Sequence, residues 1–118
     1  MATKKLEQLS ARGEKLVAKL VGVKKPTAKK APFDVVDFGD GIAYEVKTVT
    51  TLALSGSNKI HIGKGAWERK QAFMQEYGLE GALIVVVIAS RNDVSVYRTE
   101  LKQHLRISSA IKNGIRIA

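Results

Sequence analysis

The sequence predicts an α/β fold with a mixed central β-sheet flanked by helices. Three observations carry that expectation. Residues 82–89 form the continuous apolar run Ala-Leu-Ile-Val-Val-Val-Ile-Ala, β-branched in the middle, as expected of a central strand covered on both faces. Residues 32–48 read as two strands joined by a tight turn at Gly39-Asp40-Gly41. Two further segments, one before and one after this hairpin, repeat apolar residues at helical spacing.

In order along the chain, Leu6, Leu9, Gly13, Leu16, Val17, Leu20 and Val21 form one stripe of an amphipathic helix over about Lys5 to Val23. Glu14 falls at the edge of that stripe. Pro26 ends the helix, because proline disfavours helical geometry in the residue before it. Residues 24–31, with four lysines, are expected to be a basic loop. After the hairpin, residues 50–65 are rich in Thr, Ser and Gly and read as a flexible loop, within which Lys59-Ile60-His61-Ile62 alternates like a short strand. A second helix runs from Ala66 to Tyr77 and stops at Gly78. Its apolar stripe is Ala66, Trp67, Phe73, Met74 and Tyr77, with Lys70 in the middle of the stripe and Gln71 at its edge. Arg91-Asn92-Asp93 then turns the chain into a short strand over Val94 to Tyr97. Thr99 is placed to cap a helix over Glu100 to Leu105. The tail has two readings, and Ile115 to Ile117 is either a last edge strand or a subunit contact.

The hairpin holds charges where hydrophobic residues are usual. Side chains alternate between the faces of a strand, so Glu45 and Lys47 share one face while Tyr44, Val46 and Thr48 share the other. Asp34 lies on the side of Val36 and Phe38, and Asp37 on the opposite side. A register that sets Asp34 beside Glu45 brings two carboxylates and the Lys47 ammonium together, a combination suited to metal and phosphate chemistry. A mid-stripe lysine either lays its stem along apolar surface or, with Gln71, faces the same site from the second helix.

Composition narrows the partners. At 118 residues the chain is long enough for one domain, 1–118, with one modest core. No apolar run approaches the roughly 18 residues of a membrane span, and no apolar block marks a signal peptide, so a cytoplasmic setting without membrane attachment is expected. There is no cysteine, which excludes disulfides and thiolate metal sites. The two histidines stand far apart in sequence, which argues against a histidine-rich zinc centre and leaves oxygen donors for any metal. The net charge is +9, and residues 1–30 carry nine Lys and Arg against only Glu7 and Glu14. Such an asymmetry fits a polyanionic partner, since neutralising phosphates releases condensed counterions.

Pro32-Phe33-Asp34 followed by Glu45-Val46-Lys47 resembles the signature of the PD-(D/E)xK nuclease superfamily. The order of elements over about residues 11–89 is also similar. Within the superfamily the chain most resembles small archaeal-type Holliday-junction resolvases, whose first helix carries a glutamate in a context like Arg12-Gly13-Glu14-Lys15-Leu16-Val17. Stand-alone phage nucleases are nearly as similar. Phe33 between Pro32 and Asp34 departs from the written motif, and Asp37 is a rival acid.

The resemblance implies a restriction-endonuclease-like sandwich and a Mg²⁺-dependent endodeoxyribonuclease, with Mn²⁺ as a substitute. It implies a setting in a bacterial, archaeal or phage-infected cell. Asp34 and Glu45 would be direct metal ligands, joined by the backbone carbonyl of Val46, with Glu14 acting through water. Lys47 would orient the attacking water, and Lys70 or Gln71 would hold water or phosphate. Oxygen-bound Mg²⁺ stabilises charge on the phosphorane and lowers the pKa of bound water. Arg12, Lys24, Lys25, Lys29, Lys30, Lys59 and Lys64 would grip DNA, and branched or junction DNA would call for a homodimer. The tail from Ile111 to Ala118 and an exposed strand Val94 to Tyr97 are the expected interface. Flap, nicking or restriction-like cleavage, and a non-catalytic nucleic-acid-binding role on the same fold, are the alternatives.

Overall fold

A computed structural model describes residues 2–22, 32–50, 59–90 and 92–118, with side chains from residue 11 onward. Helix α1 (Ala2–Leu20) is followed by strands β1 (Val35–Asp37), β2 (Ile42–Thr50) and β3 (Lys59–His61). Then come helix α2 (Lys64–Tyr77), strands β4 (Glu80–Ser90), β5 (Asp93–Glu100) and β6 (His104–Arg106), helix α3 (Ile107–Asn113) and strand β7 (Ile115–Arg116). The fold is α/β: a mixed five-stranded sheet in the order β1-β2-β4-β5-β7, with helices on its faces and a separate β3-β6 ladder. Among the described residues, no helix is long and apolar enough to cross a membrane. The expected basic loop at 24–31 lies outside the described residues.

Strand β4 organises the molecule, as its apolar run requires. It pairs in parallel with β2 on one side and antiparallel with β5 on the other. Alternation then sends its side chains into two different cores. Ala82, Ile84, Val86 and Ile88 pack with Val17 and Ala18 of α1, while Leu83, Val85 and Val87 pack with Ile60 of β3 and with Ile107 and Ala110 of α3. The parallel β2–β4 pairing needs a crossover, and α2 lies within it. Phe73 and Met74 of α2 cover Phe33, Val36 and Ala43 of the hairpin. The helix stops where expected, at Gly78, whose φ of 64° is the left-handed conformation and whose N–H donates to the Met74 carbonyl.

The two hairpin strands differ in length, and this shapes the site. β1 has only three residues, with Val35 opposite Tyr44, whereas β2 continues to Thr50. Beyond Tyr44, one edge of β2 is left unpaired by β1. Helix α1 crosses that part of β2 at very close range: a Cβ on Gly13 would stand 1.8 Å from Thr48 Oγ1.

Three expectations need correction. Thr99 does not cap a helix over Glu100 to Leu105. It lies in β5 opposite Leu83, since the eleven-residue β4 continues as a template to Glu100. The helix begins later, at Ile107, after the β6 strand. The strand over Val94 to Tyr97 is not an exposed edge. Its outer edge is paired with β7, Val96 N–H donates to the Ala118 carbonyl (3.0 Å), Ile117 N–H donates to the Val96 carbonyl (2.8 Å), and Val96 is fully buried. The edge-strand reading of the tail is the one observed, and Ile115 is 72% exposed on it. The loop expected over 50–65 is interrupted by β3 and by the start of α2; residues 51–58 lie outside those described.

The approach at Gly13 sets two effects against each other. Alanine raises helix propensity by about 1 kcal/mol, but its methyl has no space against Thr48, and overpacking costs typically 1–3 kcal/mol. Gly13→Ala is therefore expected to lower the melting temperature, measured by circular dichroism. An unchanged or raised value would mean that α1 and β2 separate freely.

Candidate active site

The ladder begins with Val35 opposite Tyr44, and Asp34 stands just before it, where its carboxylate comes within hydrogen-bonding reach of Glu45. Asp34 N–H donates to the carbonyl of Tyr44 (3.2 Å), the same residue that pairs with Val35, so the ladder ends here. Its side chain then turns to the open edge of β2, where one carboxylate oxygen accepts the Val46 N–H at 2.9 Å. A strand residue directs its N–H and C=O to the same side. The Val46 carbonyl therefore also faces this edge.

Two acids meet Asp34 from different elements. Glu45 comes from β2, on the face that carries Ala43 and Val49. Glu14 comes from α1 and lies within hydrogen-bonding reach of Asp34. Burial is the main cause that raises the Glu14 pKa, and the Asp34 charge adds to it. Glu45 is pushed up to about 7, first by burial and next by the Asp34 charge, while Lys70 pulls it in the opposite direction. Paired carboxylates with raised affinity for protons are short of positive charge. The three are linked through Asp34; among the described residues, no group of three or more His, Asp or Glu side chains encloses a metal site.

The ammonium beside these acids is Lys70, the charge in the middle of the α2 stripe. It is 7% exposed, which sets aside the reading of a stem laid along the surface with its head in water. Its Nζ lies 2.5 Å from Glu45 Oε2, also donates to the Pro32 carbonyl, and stands 4.7 Å from the centroid of the Phe33 ring. A buried lysine is tolerable only with such partners. Lys47 is exposed and makes no ion pair among the described residues, so it does not supply the ammonium that meets Glu45. Gln71 is exposed one position beyond Lys70. Asp37, the rival acid, is used elsewhere: its Oδ1 accepts the Asp40 N–H at 3.2 Å and stabilises the hairpin turn.

Of the expected DNA contacts, Arg12, Lys59 and Lys64 are exposed, and Lys24, Lys25, Lys29 and Lys30 lie outside the described residues. Sequence reasoning missed the structural parts of Pro32, whose carbonyl holds Lys70, and of Phe33, whose ring faces it. Their position just before Asp34 was the available signal. It also missed Thr48, whose buried hydroxyl beneath α1 has no hydrogen-bond partner among the described residues. Comparison with protein-family models, with curated proteins and with solved structures found no match.

The raised pKa of Glu45 makes stability depend on pH. A carboxyl whose folded pKa lies above its unfolded value binds the proton more tightly when folded, so its contribution is complete at low pH and is lost as pH rises. For Glu45 the loss falls between about pH 4.5 and 7. It amounts to on the order of 2 kcal/mol after allowance for its partial exposure. Glu45→Gln is expected to flatten this decline in denaturant titrations, whereas Lys70→Met, which leaves Glu45 buried without its counter-ion, is expected to steepen it. Parallel profiles for wild type and both variants would contradict the assignment.

Proposed function

We propose that the protein is a metal-dependent DNA endonuclease of the PD-(D/E)xK type on a restriction-endonuclease-like fold. The observation that carries this reading is the position of the Asp34 carboxylate, bonded to Val46 N–H at the open edge of β2 and flanked by Glu14 and Glu45. Acids from a helix, a pre-strand loop and a strand are directed to one edge, and a binding protein for phosphates has no use for such repulsion.

The donor set fits Mg²⁺ or Mn²⁺. The site offers hard oxygens, and its carboxylates gain from a nearby positive charge. Mg²⁺ keeps most of its waters and takes one or two carboxylates, so a closed cage of three side chains is not required. Asp34, Glu45 and the Val46 carbonyl would hold it, with Glu14 acting through water. When bound, it supplies Lewis-acid stabilisation of the phosphorane and a more acidic water.

The chain's own residues do the remaining work. Asp34 fixes the Val46 peptide and thereby the direction of its carbonyl. Lys70 keeps Glu45 ionisable within a buried site and stands ready to exchange Glu45 for a phosphate oxygen. Lys47, exposed next to the site on β2, orients water or stabilises developing negative charge. Arg12, Lys59, Lys64 and the lysines of residues 24–31 hold the DNA backbone.

Branched DNA is the favoured substrate, on the resemblance around Arg12 to Val17 and the basic N-terminal quarter. Resolution of a junction requires two symmetric cuts and hence a two-fold dimer, for which exposed Ile115 and Ile117 offer apolar contacts. Purified protein with Mg²⁺ and labelled four-way junction, flap, duplex and single-stranded DNA tests the proposal. Paired symmetric nicks confined to the junction are expected, and Asp34→Asn or Glu45→Gln is expected to abolish cleavage, a loss of at least about 10²-fold, with folding and DNA binding retained. Cleavage at the wild-type rate by either variant would remove these residues from the mechanism, and no cleavage of any substrate would leave a nucleic-acid-binding role.

A further inference from the structure

The two histidines, 43 positions apart in sequence, meet in space. His61 of β3 lies directly opposite His104 of β6, with Nδ1 atoms 2.7 Å apart and ring centroids 4.5 Å apart. Both side chains are exposed, while Ile60 is buried on the other face of the ladder. The ladder is clamped just beyond them: Ile62 N–H donates to the Gln103 carbonyl (2.9 Å), and Gln103 Nε2 donates to the Ile62 carbonyl (3.1 Å). The pair is thus held in register by the backbone on both sides.

Two Nδ1 lone pairs that face each other at this distance repel unless a proton or a cation lies between them. We propose that His61 and His104 chelate one divalent transition-metal ion that favours tetragonal coordination, Cu²⁺ or Ni²⁺, through both Nδ1 atoms. The spacing carries the choice. Two nitrogens each about 2.0 Å from a metal are about 2.8 Å apart when cis in a square plane, and about 3.3 Å apart in a tetrahedron. The observed 2.7 Å matches the former. Each imidazole binds as the neutral tautomer with its proton on the outward Nε2, so the proton between the rings moves to that nitrogen and none need be released.

Lys59 and Arg106, the adjoining pair on the same exposed face, oppose the approach of any cation. Their repulsion weighs most on hard ions such as Mg²⁺, which bind through charge and oxygen ligands, and least on an ion held by imidazole lone pairs. Waters would fill the remaining positions, since no third His, Asp or Glu completes the site among the described residues. A two-stranded ladder is marginal by itself, so an ion across it acts as a cross-strand staple. This site lies on the small ladder, apart from the Asp34 cluster, and does not rest on the nuclease reading.

Titration of the whole chain with Cu²⁺ tests the proposal, read by calorimetry, by electron paramagnetic resonance and by melting temperature. One equivalent with coupling to two nitrogens is expected, with a rise of a few degrees in melting temperature in excess copper and no displacement by excess Mg²⁺. His61→Gln and His104→Gln, both at exposed positions, should each lose the bound equivalent and the thermal shift while melting as wild type without metal. Selective broadening of the two histidine ring resonances in the wild-type chain gives the same answer without a variant. Retention of the equivalent in the double variant, broadening centred on other residues, or an unchanged melting temperature would overturn it.

Discussion

The hydrogen bond from Val46 N–H to the Asp34 carboxylate is the contact on which the candidate site depends. It exists because β1 ends its pairing early and leaves a backbone donor of β2 open at a sheet edge. A charged acceptor is a strong partner for such a donor, worth about 1.5–3 kcal/mol. That bond holds Asp34 against the edge, and Asp34 in turn sets the electrostatics of both glutamates. Without the difference in strand length, Glu14 on one face of the sheet and Glu45 on the other would be separated by a strand of backbone.

Lys70 solves a problem that this arrangement creates. Burial and a neighbouring charge both drive Glu45 toward its protonated form, and a cation placed at 2.5 Å resists that. The lysine is itself buried, and its cost is offset by the Pro32 carbonyl and the face of Phe33. The segment Pro32-Phe33-Asp34 therefore supplies three different groups, a carbonyl, a ring and a carboxylate, within three residues. Phe33 is packed in turn by Phe73 of α2 (ring centroids 6.0 Å apart), which links the position of Lys70 on the helix to that of Asp34 before the strand.

What was legible in the sequence followed from local pattern. The run from Ala82 to Ala89 read as a doubly covered strand because burial on both faces leaves no alternation, and Gly78 read as a helix stop because few residues adopt positive φ at low cost. Alternation left the meeting of Asp34 with Glu45 conditional on the register, and their side chains do meet, while Lys70 stood out as a charge in an apolar stripe. The misreadings came from long-range pairing. Thr99 has the chemistry of a cap, but β4 continues far enough to hold it in a ladder, and tertiary pairing overrides such a preference. His61 and His104 meet only because β3 and β6, each three residues long, find one another across the chain. The ammonium beside Glu45 was assigned to Lys47 from a neighbour on the same strand, whereas Lys70 arrives from a helix whose placement no local spacing encodes.

Among the described residues, no strand pairs with the β1-side edge of β2 beyond Tyr44, and this bears on solubility as well as on chemistry. A row of free backbone donors and acceptors is a template onto which a strand from another molecule can add, and chains with such edges tend to polymerise. Here the first free donor is already taken by Asp34, and the approach is flanked by the acids of α1 and β2. An incoming strand would have to displace a charged acceptor and bring its own carbonyls toward carboxylates. The same acidic cluster thus opposes self-association at this margin of the sheet.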